Sequence, residues 1–347
     1  MALKIVIVTD AWHPQINGVV TTIDNTCKTL KDNGNNVLMI TPDLFTTIPC
    51  PSYPSIKLSV FCYAKVKRLL DNFVPDCIHI ATEGPLGLAA RKYCIKNELA
   101  FTTSFHTLFA EYVNLRFSVP VSWGYNILNW FHKPASKIMI ATAQVEEDLS
   151  NRGFDNERFV RWSRGVDTER FKLRSKEFLD YPRPISMYVG RVAVEKNLEA
   201  FLKLSIPGTK VVVGDGPQLN MLKKQFPDAI FAGFQTGLTL AKTMAAADVF
   251  VFPSRTDTFG IVMLDALACG VPVAAFPVQG PIDVLIENQT GCMQEDLKAA
   301  FYSALKLKPE DCRQQALEYS WLNCSAQFFN NLVSVSERRN RDLTTQH

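Results

Sequence analysis

No stretch of this 347-residue sequence approaches the roughly 20 consecutive apolar residues that span a bilayer. The opening MALKIVIVTD reaches Asp10 too soon to supply the apolar core of a secretory leader, so none is expected. Charge of one sign is not in excess. Against 37 basic residues stand 34 acidic ones, for a net charge of +3. Neither half is a polyelectrolyte, which leaves no nucleic-acid footprint and no nucleic-acid partner expected. The nine cysteines, at 27, 50, 62, 77, 94, 269, 292, 312 and 324, are odd in number and never spaced C-x-x-C. That pattern argues against a disulfide framework or a zinc site and fits a reducing, cytoplasmic setting. No G-x-G-x-x-G opens either half, which counts against a dinucleotide oxidoreductase. No D-x-D follows an apolar strand, so a metal–diphosphate clamp is not written into the chain and neither metal nor cofactor is expected.

What is present is the grammar of an α/β protein. Apolar residues make up 47% and charged residues 20%, ordinary for a globular chain, and the length suits two cores better than one. Short strands that are apolar throughout alternate with helix-length segments. In the first half the strands are KIVIV (4–8), NVLMI (36–40), CIHI (77–80), FTTSF (101–105) and KIMIA (137–141), with helices over 18–32, 62–73 and 84–96. In the second they are ISMYV (185–189), KVVVG (210–214), AIFAG (229–233), VFVFP (249–253) and VPVAAF (271–276). Strands with no polar face predict parallel sheets covered on both sides by helices. A charged, proline-containing stretch separates the halves. The predicted layout is a first α/β domain over 1–167, a linker over 168–184, a second α/β domain over 185–322, and a helix over 323–347 packing back on the first domain before a frayed tail. Parallel sheets place ligands at the carboxyl ends of their strands.

Five segments at such strand ends carry chemistry. NGVVTT (17–22) sets Gly18 at a strand–helix turn, where backbone amides and the helix N-terminus suit an anion; a purely structural glycine fits equally. GRVAVEKN (190–197) puts Arg191 and Lys196 where one loop aims two cations at a diphosphate, or exposes a solvated helix start in which Glu195 pairs with a lysine. GDGPQL (214–219) is a backbone-defined loop, for a base or for a chain reversal. PSRTDTFGIVMLDALACGVPVAA (253–275) carries Asp257 in the loop and Asp265 on the helix, with the amides of Thr258, Phe259 and Gly260 suited to phosphate; helix capping and a solvated carboxylate are the plainer reading. TSFHTLFAEYV (103–113) ends a strand on His106.

In this order the five segments resemble the group 1 family of retaining glycosyltransferases with the GT-B architecture, over nearly the whole chain and most strongly over 185–275. RGVDTERF (164–171) is similar to the family's segment between its domains. TDAWHPQINGVVTT, TEGPLG (82–87) and SFHTLFAEY resemble the branch of GDP-mannose-dependent α-mannosyltransferases and sulfolipid synthases. The resemblance implies two Rossmann-like domains facing across a cleft. It implies that Gly18 and Gly190 approach the donor diphosphate, that Arg191 and Lys196 neutralise it, and that His106 touches the transferred sugar. Asp257 and Asp265 stand where the family has Glu-x7-Glu, the first addressing the sugar and the second the ribose. Each carboxylate is withdrawn by about 1.5 Å, one carbon–carbon bond. Gly214 joins the donor set through the GDGP loop.

The activity implied is transfer of a hexose, mannose or glucose, from GDP-mannose or UDP-glucose to a lipid or glycan hydroxyl. A GT-B epimerase or phosphorylase, and a non-catalytic nucleotide-sugar binder, remain open at this stage. Acceptor or membrane candidates are Lys65, Lys67 and Arg68 on the helix YAKVKRLLDNF, and Trp123 and Trp130 in RFSVPVSWGYNILNWFHKPASK (116–137). Basic residues among aromatics suit an anionic surface such as the inner face of the cell membrane. The same aromatics also fit the buried stripe of an ordinary helix.

Overall fold

A computed structural model describes residues 2–15, 17–50, 53–106, 120–257 and 259–337. Thr258, and 107–119 with all of LFAEYV and RFSV, lie outside the described residues. The chain forms two compact units, Met1–Ser163 with Leu322–His347, and Arg164–Trp321.

The first unit is a six-stranded parallel sheet in the order β2-β1-β5-β6-β7-β8. Its strands are β1 (Lys4–Val8), β2 (Asn36–Ile40), β5 (Cys77–Ile80), β6 (Thr102–Ser104), β7 (Lys137–Ile140) and β8 (Phe159–Arg161). An antiparallel ribbon, β3 (Thr47–Cys50) with β4 (Tyr53–Ser59), stands apart from it. Helices α1 (Gly18–Asp32), α2 (Tyr63–Phe73), α3 (Pro85–Lys96), α4 (Val121–His132) and α5 (Ala143–Asn151) supply the covering layers. Val6, Val8, Ile78, Ile80, Ile138 and Ile140 form the centre of its core. Full burial of each such side chain is worth about 1.5–3 kcal/mol.

The second unit is also a six-stranded sheet, with the different strand order β11-β10-β9-β12-β13-β14 and every neighbour parallel. Its strands are β9 (Ile185–Val189), β10 (Thr209–Val213), β11 (Ile230–Gly233), β12 (Val249–Phe252), β13 (Val273–Ala275) and β14 (Gly291–Met293). Its helices are α6 (Leu198–Leu202), α7 (Leu219–Gln225), α8 (Gly237–Ala245), α9 (Ile261–Ala268), α10 (Pro281–Val284), α11 (Leu297–Ala304) and α12 (Pro309–Leu317). Counted from β9, the order is 3-2-1-4-5-6, whose direction reverses between β9 and β12, the place where open α/β sheets bind ligands.

The stretch 168–184 is bonded to the second unit: Arg313 donates to the carbonyls of Thr168 and Phe171 at 3.0 and 2.7 Å, and Lys176 and Arg183 pair with Asp248 at 2.8 and 2.7 Å. The last helix, α13 (Trp321–Asn331), enters the first unit at Leu322. There Phe328 packs against Trp162, ring centroids 4.8 Å apart. No described helix is long and apolar enough to cross a membrane. The eight described cysteines are free and buried.

One close approach fixes the geometry after β9 and β10. Gly214 has φ +145°, and a Cβ there would lie 1.9 Å from the Gly190 carbonyl oxygen. We expect Gly214→Ala to cost more than about 2 kcal/mol in chemical denaturation. Gly34→Ala, with φ +83° but nothing within 4 Å, serves as the comparison and should cost only about 1 kcal/mol. Equal losses would show that the approach of the two loops carries no strain.

Candidate functional site

In the second unit three of the sequence segments converge on one sheet edge. Gly190 N donates to Val213 O at 3.0 Å and Val192 N to Asp215 O at 2.9 Å, joining the β9 loop to the GDGP loop. On its other side the β9 loop is stitched to the β12 loop. Asn197 Nδ2 donates to Pro253 O at 3.1 Å, and the hydroxyls of Ser254 and Thr256 both donate to Glu195 O at 3.3 Å. These bonds bring Lys196 Nζ to 2.5 Å from Asp257 Oδ1, both side chains mostly buried. Asp257 Oδ2 is buried with no partner among the described residues. Arg191 Nη1 lies 3.9 Å from Glu195 Oε1. Burial holds the Arg191 guanidinium below its ordinary pKa, countered by Glu195. Tyr188 OH, buried beneath, donates to Arg191 O at 2.9 Å and so braces the turn. Desolvation, reinforced by Asp257 and Glu195, pushes its phenol well above the ordinary value.

Gly260, φ +77°, turns the chain into α9, and the Phe259 ring is buried against Tyr319 at 6.3 Å. Gly280 lets its own loop close on the turn: a Cβ there would meet Asp257 O at 2.8 Å. Asp265 lies on α9, partly buried. Desolvation raises its carboxyl to about 7, with Arg170 opposing the shift and Asp167 adding to it.

In the first unit the sheet edge holds buried polar groups, among them the Asp10 carboxyl. Gly18 is exposed at the start of α1, where Asn17 caps the helix by accepting from Val20 N at 3.0 Å. Asp10, which sequence reasoning used only as a break in an apolar run, is buried at the end of β1. Its carboxylate accepts from Leu86 N at 2.9 Å and Gly87 N at 3.2 Å, capping α3 through space. Gly84 makes room for it, since a Cβ there would lie 2.4 Å from Asp10 Cγ. Burial nonetheless raises the Asp10 carboxyl to about 6.

His106 is buried, its Nε2 2.8 Å from Ser104 Oγ and its ring edge-on to Trp162 at 5.4 Å. Two histidines not singled out from sequence stand nearby, His79 on β5 and His132 at the end of α4. His79 contacts Thr102 and Ser104, and His132 contacts Thr103 Oγ1 at 2.9 Å and Glu83 Oε1 at 3.2 Å. A histidine inside CIHI and three hydroxyls in a buried strand were the available signals. Among the described residues no group of histidine, cysteine or carboxylate side chains could hold a metal ion.

On the helical face, Lys65 donates to Leu44 O and lies over the Phe45 ring, Lys67 pairs with Asp71 at 2.5 Å, and Arg68 is exposed. Trp123 and Trp130 are 66% and 53% exposed, so they do not belong to the buried stripe of α4, which is Tyr125, Leu128, Phe131 and His132.

The Asp265 shift has a sign that can be tested. Between the ordinary 3.8 and about 7, the folded chain keeps a proton that the unfolded chain has lost. Stability therefore falls as pH rises through that window. Asp265→Asn lacks this slope, so its Tm relative to the unsubstituted protein should climb by a few degrees from pH 5 to pH 8. A pH-independent Tm difference would remove the carboxyl from its desolvated setting.

Residues 16–170 match the family described as Glycosyltransferase Family 4, and 183–307 match Glycosyl transferases group 1. The sulfoquinovosyl transferase SQD2 of Arabidopsis thaliana is 29% identical over 80% of this chain, a match spanning 60% of that protein's length. A GDP-mannose-dependent alpha-mannosyltransferase of Mycobacterium tuberculosis is 28% identical over 84% of this chain and 83% of its own. An alpha-monoglucosyldiacylglycerol synthase of Streptococcus pneumoniae is 26% identical over 95% and 84%. Among solved structures, sucrose-phosphate synthase from Thermosynechococcus elongatus superposes with a TM-score of 0.76 at 18% identity, covering 94% of this chain and 98% of that one. Anabaena HepE in complex with UDP-glucose does so at 0.70 and 16%, with the same coverage. With both halves matched and each unit built on a six-stranded parallel sheet, the chain belongs to the group 1 family of glycosyltransferases with the GT-B architecture.

Proposed function

We propose that this glycosyltransferase moves a hexose, mannose or glucose, from a nucleoside diphosphate sugar to a hydroxyl on a lipid or glycan, with retention at the anomeric carbon. The observation that carries the reading is the Lys196–Asp257 contact at the point where the strand order of the second sheet reverses. A cation and a carboxylate from two different motifs meet where a ligand of this fold binds. GDP-mannose and UDP-glucose are the favoured donors. The name of the GDP-mannose-dependent mannosyltransferase relative supports the first, and that of the glucosyldiacylglycerol synthase relative supports glucose as the sugar.

In this mechanism the diphosphate leaves as an oxocarbenium-like sugar forms. Arg191, Lys196 and the amides leading into α9 stabilise charge growing on the leaving oxygen. Asp257 takes hydroxyls of the sugar once Lys196 turns to phosphate, and Asp265 takes the ribose. The departing phosphate oxygen receives the acceptor proton, so no separate base is required. His106 orients the sugar by a hydrogen bond.

Lys196→Ala and Arg191→Ala should each lower kcat/KM by at least about 10–100-fold, the worth of one charge-assisted contact, with circular dichroism and Tm near those of the unsubstituted chain. Unchanged kinetics in either variant would take the donor away from this loop.

A lipid acceptor is favoured by the outer helical layer. Trp123, Ile127 and Trp130 are all more than half exposed and lie one and two turns apart on α4. Arg91 lies 3.9 Å from the Trp130 ring, and Phe61, fully exposed, rims a shallow groove with Leu88 and Lys92. An apolar stripe edged by cations suits an anionic lipid headgroup boundary. In flotation with anionic and neutral vesicles, binding should require anionic lipid and weaken with salt. It should fall at least about tenfold in a Trp123→Ser, Trp130→Ser double variant, which removes two buried aromatic areas. Indifference to anionic vesicles at low salt, with efficient glycosylation of a soluble acceptor, would replace the lipid by a glycan.

A further inference from the structure

Two polar atoms in the loops after β12 and β13 are buried with no hydrogen-bond partner among the described residues: Asp257 Oδ2 and Gln279 Nε2. Buried polar atoms in native proteins are nearly always paired, so each of these asks for an explanation. Lys196 satisfies only the other oxygen of the Asp257 carboxylate.

The sheet sets the two loops side by side. β12 and β13 pair in parallel, with Phe252 opposite Ala275. Asp257 and Gly280 each stand five residues beyond that pair, so the loops keep step as they leave the sheet. Arg255 stacks on the Phe276 ring at 3.8 Å and ties the loops together close to the strands. Further out, Gly280 closes on the first loop: a Cβ there would lie 2.8 Å from Asp257 O and 3.4 Å from Phe259 O. Gln279 therefore leaves a backbone that runs against that of Asp257.

The two atoms have complementary needs. A carboxylate oxygen only accepts, and a carboxamide nitrogen only donates. A phosphate oxygen would satisfy the amide but is repelled by the carboxylate. A hydroxyl answers both, because it carries one hydrogen and two lone pairs. A hexose presents several hydroxyls, and it is bonded directly to the diphosphate that Lys196 receives.

We propose that Gln279 is a further donor-binding residue, its Nε2–H donating to a hydroxyl of the transferred sugar alongside Asp257. The inference rests on the reading of Lys196 as a diphosphate contact and Asp257 as a sugar contact. Asp257 can hold a sugar hydroxyl only by its hydrogen, and Gln279 supplies the hold on its lone pairs.

The test is isothermal titration calorimetry of the full chain with GDP, GDP-mannose, UDP and UDP-glucose. Gln279→Met keeps the length of the side chain and removes the N–H. In that variant the Kd of whichever nucleotide sugar the unsubstituted protein binds should rise about tenfold, while the Kd of the matching free nucleotide stays within about twofold. The free nucleotide carries ribose and diphosphate but no hexose, so its unchanged Kd also certifies an intact site. Gln279→Glu, equal in size but without a donor at neutral pH, should lose at least as much. The Tm of Gln279→Met should be no lower than that of the unsubstituted chain, since methionine buries no unpaired polar atom. An unchanged nucleotide-sugar Kd in Gln279→Met overturns the proposal, as does equal weakening of nucleotide sugar and free nucleotide, or full affinity in Gln279→Glu. A Tm several degrees lower in Gln279→Met marks a structural residue and overturns it too. Failure of the unsubstituted chain to bind either nucleotide sugar is a separate result, which defeats the donor reading itself and this inference with it.

Discussion

Parallel strand pairing is the constraint from which the rest of this molecule follows. A parallel strand needs a crossover before the next can pair with it, and the crossover helices cover both faces of the sheet. All carboxyl ends then open on one edge, and every loop there leaves the sheet in the same direction. In the second unit this is why segments 56 to 61 residues apart in sequence meet. The β9 and β12 strands are paired neighbours, so the loops that follow them run side by side, and four hydrogen bonds and ion pairs between 195–197 and 253–257 hold Lys196 against Asp257. The carboxylate there is aspartate where the resembling family has glutamate. The shorter side chain nevertheless reaches the lysine, because the loop backbone itself is drawn in by Ser254 and Thr256.

The same constraint decided what could be read in advance. KIVIV, NVLMI, CIHI and ISMYV are strands from end to end because burial on both faces writes an unbroken apolar run. The β3–β4 ribbon obeys no such rule: it stands outside both sheets and its sequence alternates with proline and serine, so nothing in TTIPCPSYPS announced it. The edge strands β8 and β14 are three residues long, one with a terminal arginine and the other with a terminal glycine, and carry too little apolar signal to register. Helix α6 begins only at Leu198, because a tight 3-10 turn over Val194–Lys196 and a left-handed Asn197 come first.

Site residues divided in the same way. The places of Arg191, Lys196 and His106 after strand ends were legible, since that is a local property of sequence; their part in sugar transfer is the proposal made above. Asp10, His79 and Ser104 were not legible, because their contacts exist only across strands. Asp10 caps a helix 75 residues further on, and His79 meets hydroxyls on the neighbouring strand. The α4 aromatics posed a different difficulty. Both Trp123 and Trp130 fall on a helical period, and periodicity alone does not say which side of a helix faces inward. Tyr125, Leu128, Phe131 and His132 take the interior, which leaves the tryptophans outside.

The two units organise their polar edges by opposite physics. Around β6 the side chains are buried and joined to one another by hydrogen bonds, and burial keeps His79 neutral. Such a cluster is insensitive to salt and rigid, since any rotation would strand a buried polar atom at a cost of about 1–3 kcal/mol. At β9 and β12 the groups are charged and only partly enclosed, and the lysine and aspartate neutralise each other. Charges of this kind exchange partners readily: an entering diphosphate offers the lysine more negative charge than one carboxylate does, and the carboxylate released retains two acceptor oxygens. A rigid buried edge is suited to holding one geometry. An exchangeable charged edge is suited to a group that arrives and departs with its charge changed, as the nucleoside diphosphate does in sugar transfer. On the donor reading proposed above, it is the charged edge of the second sheet that manages the charge of the diphosphate.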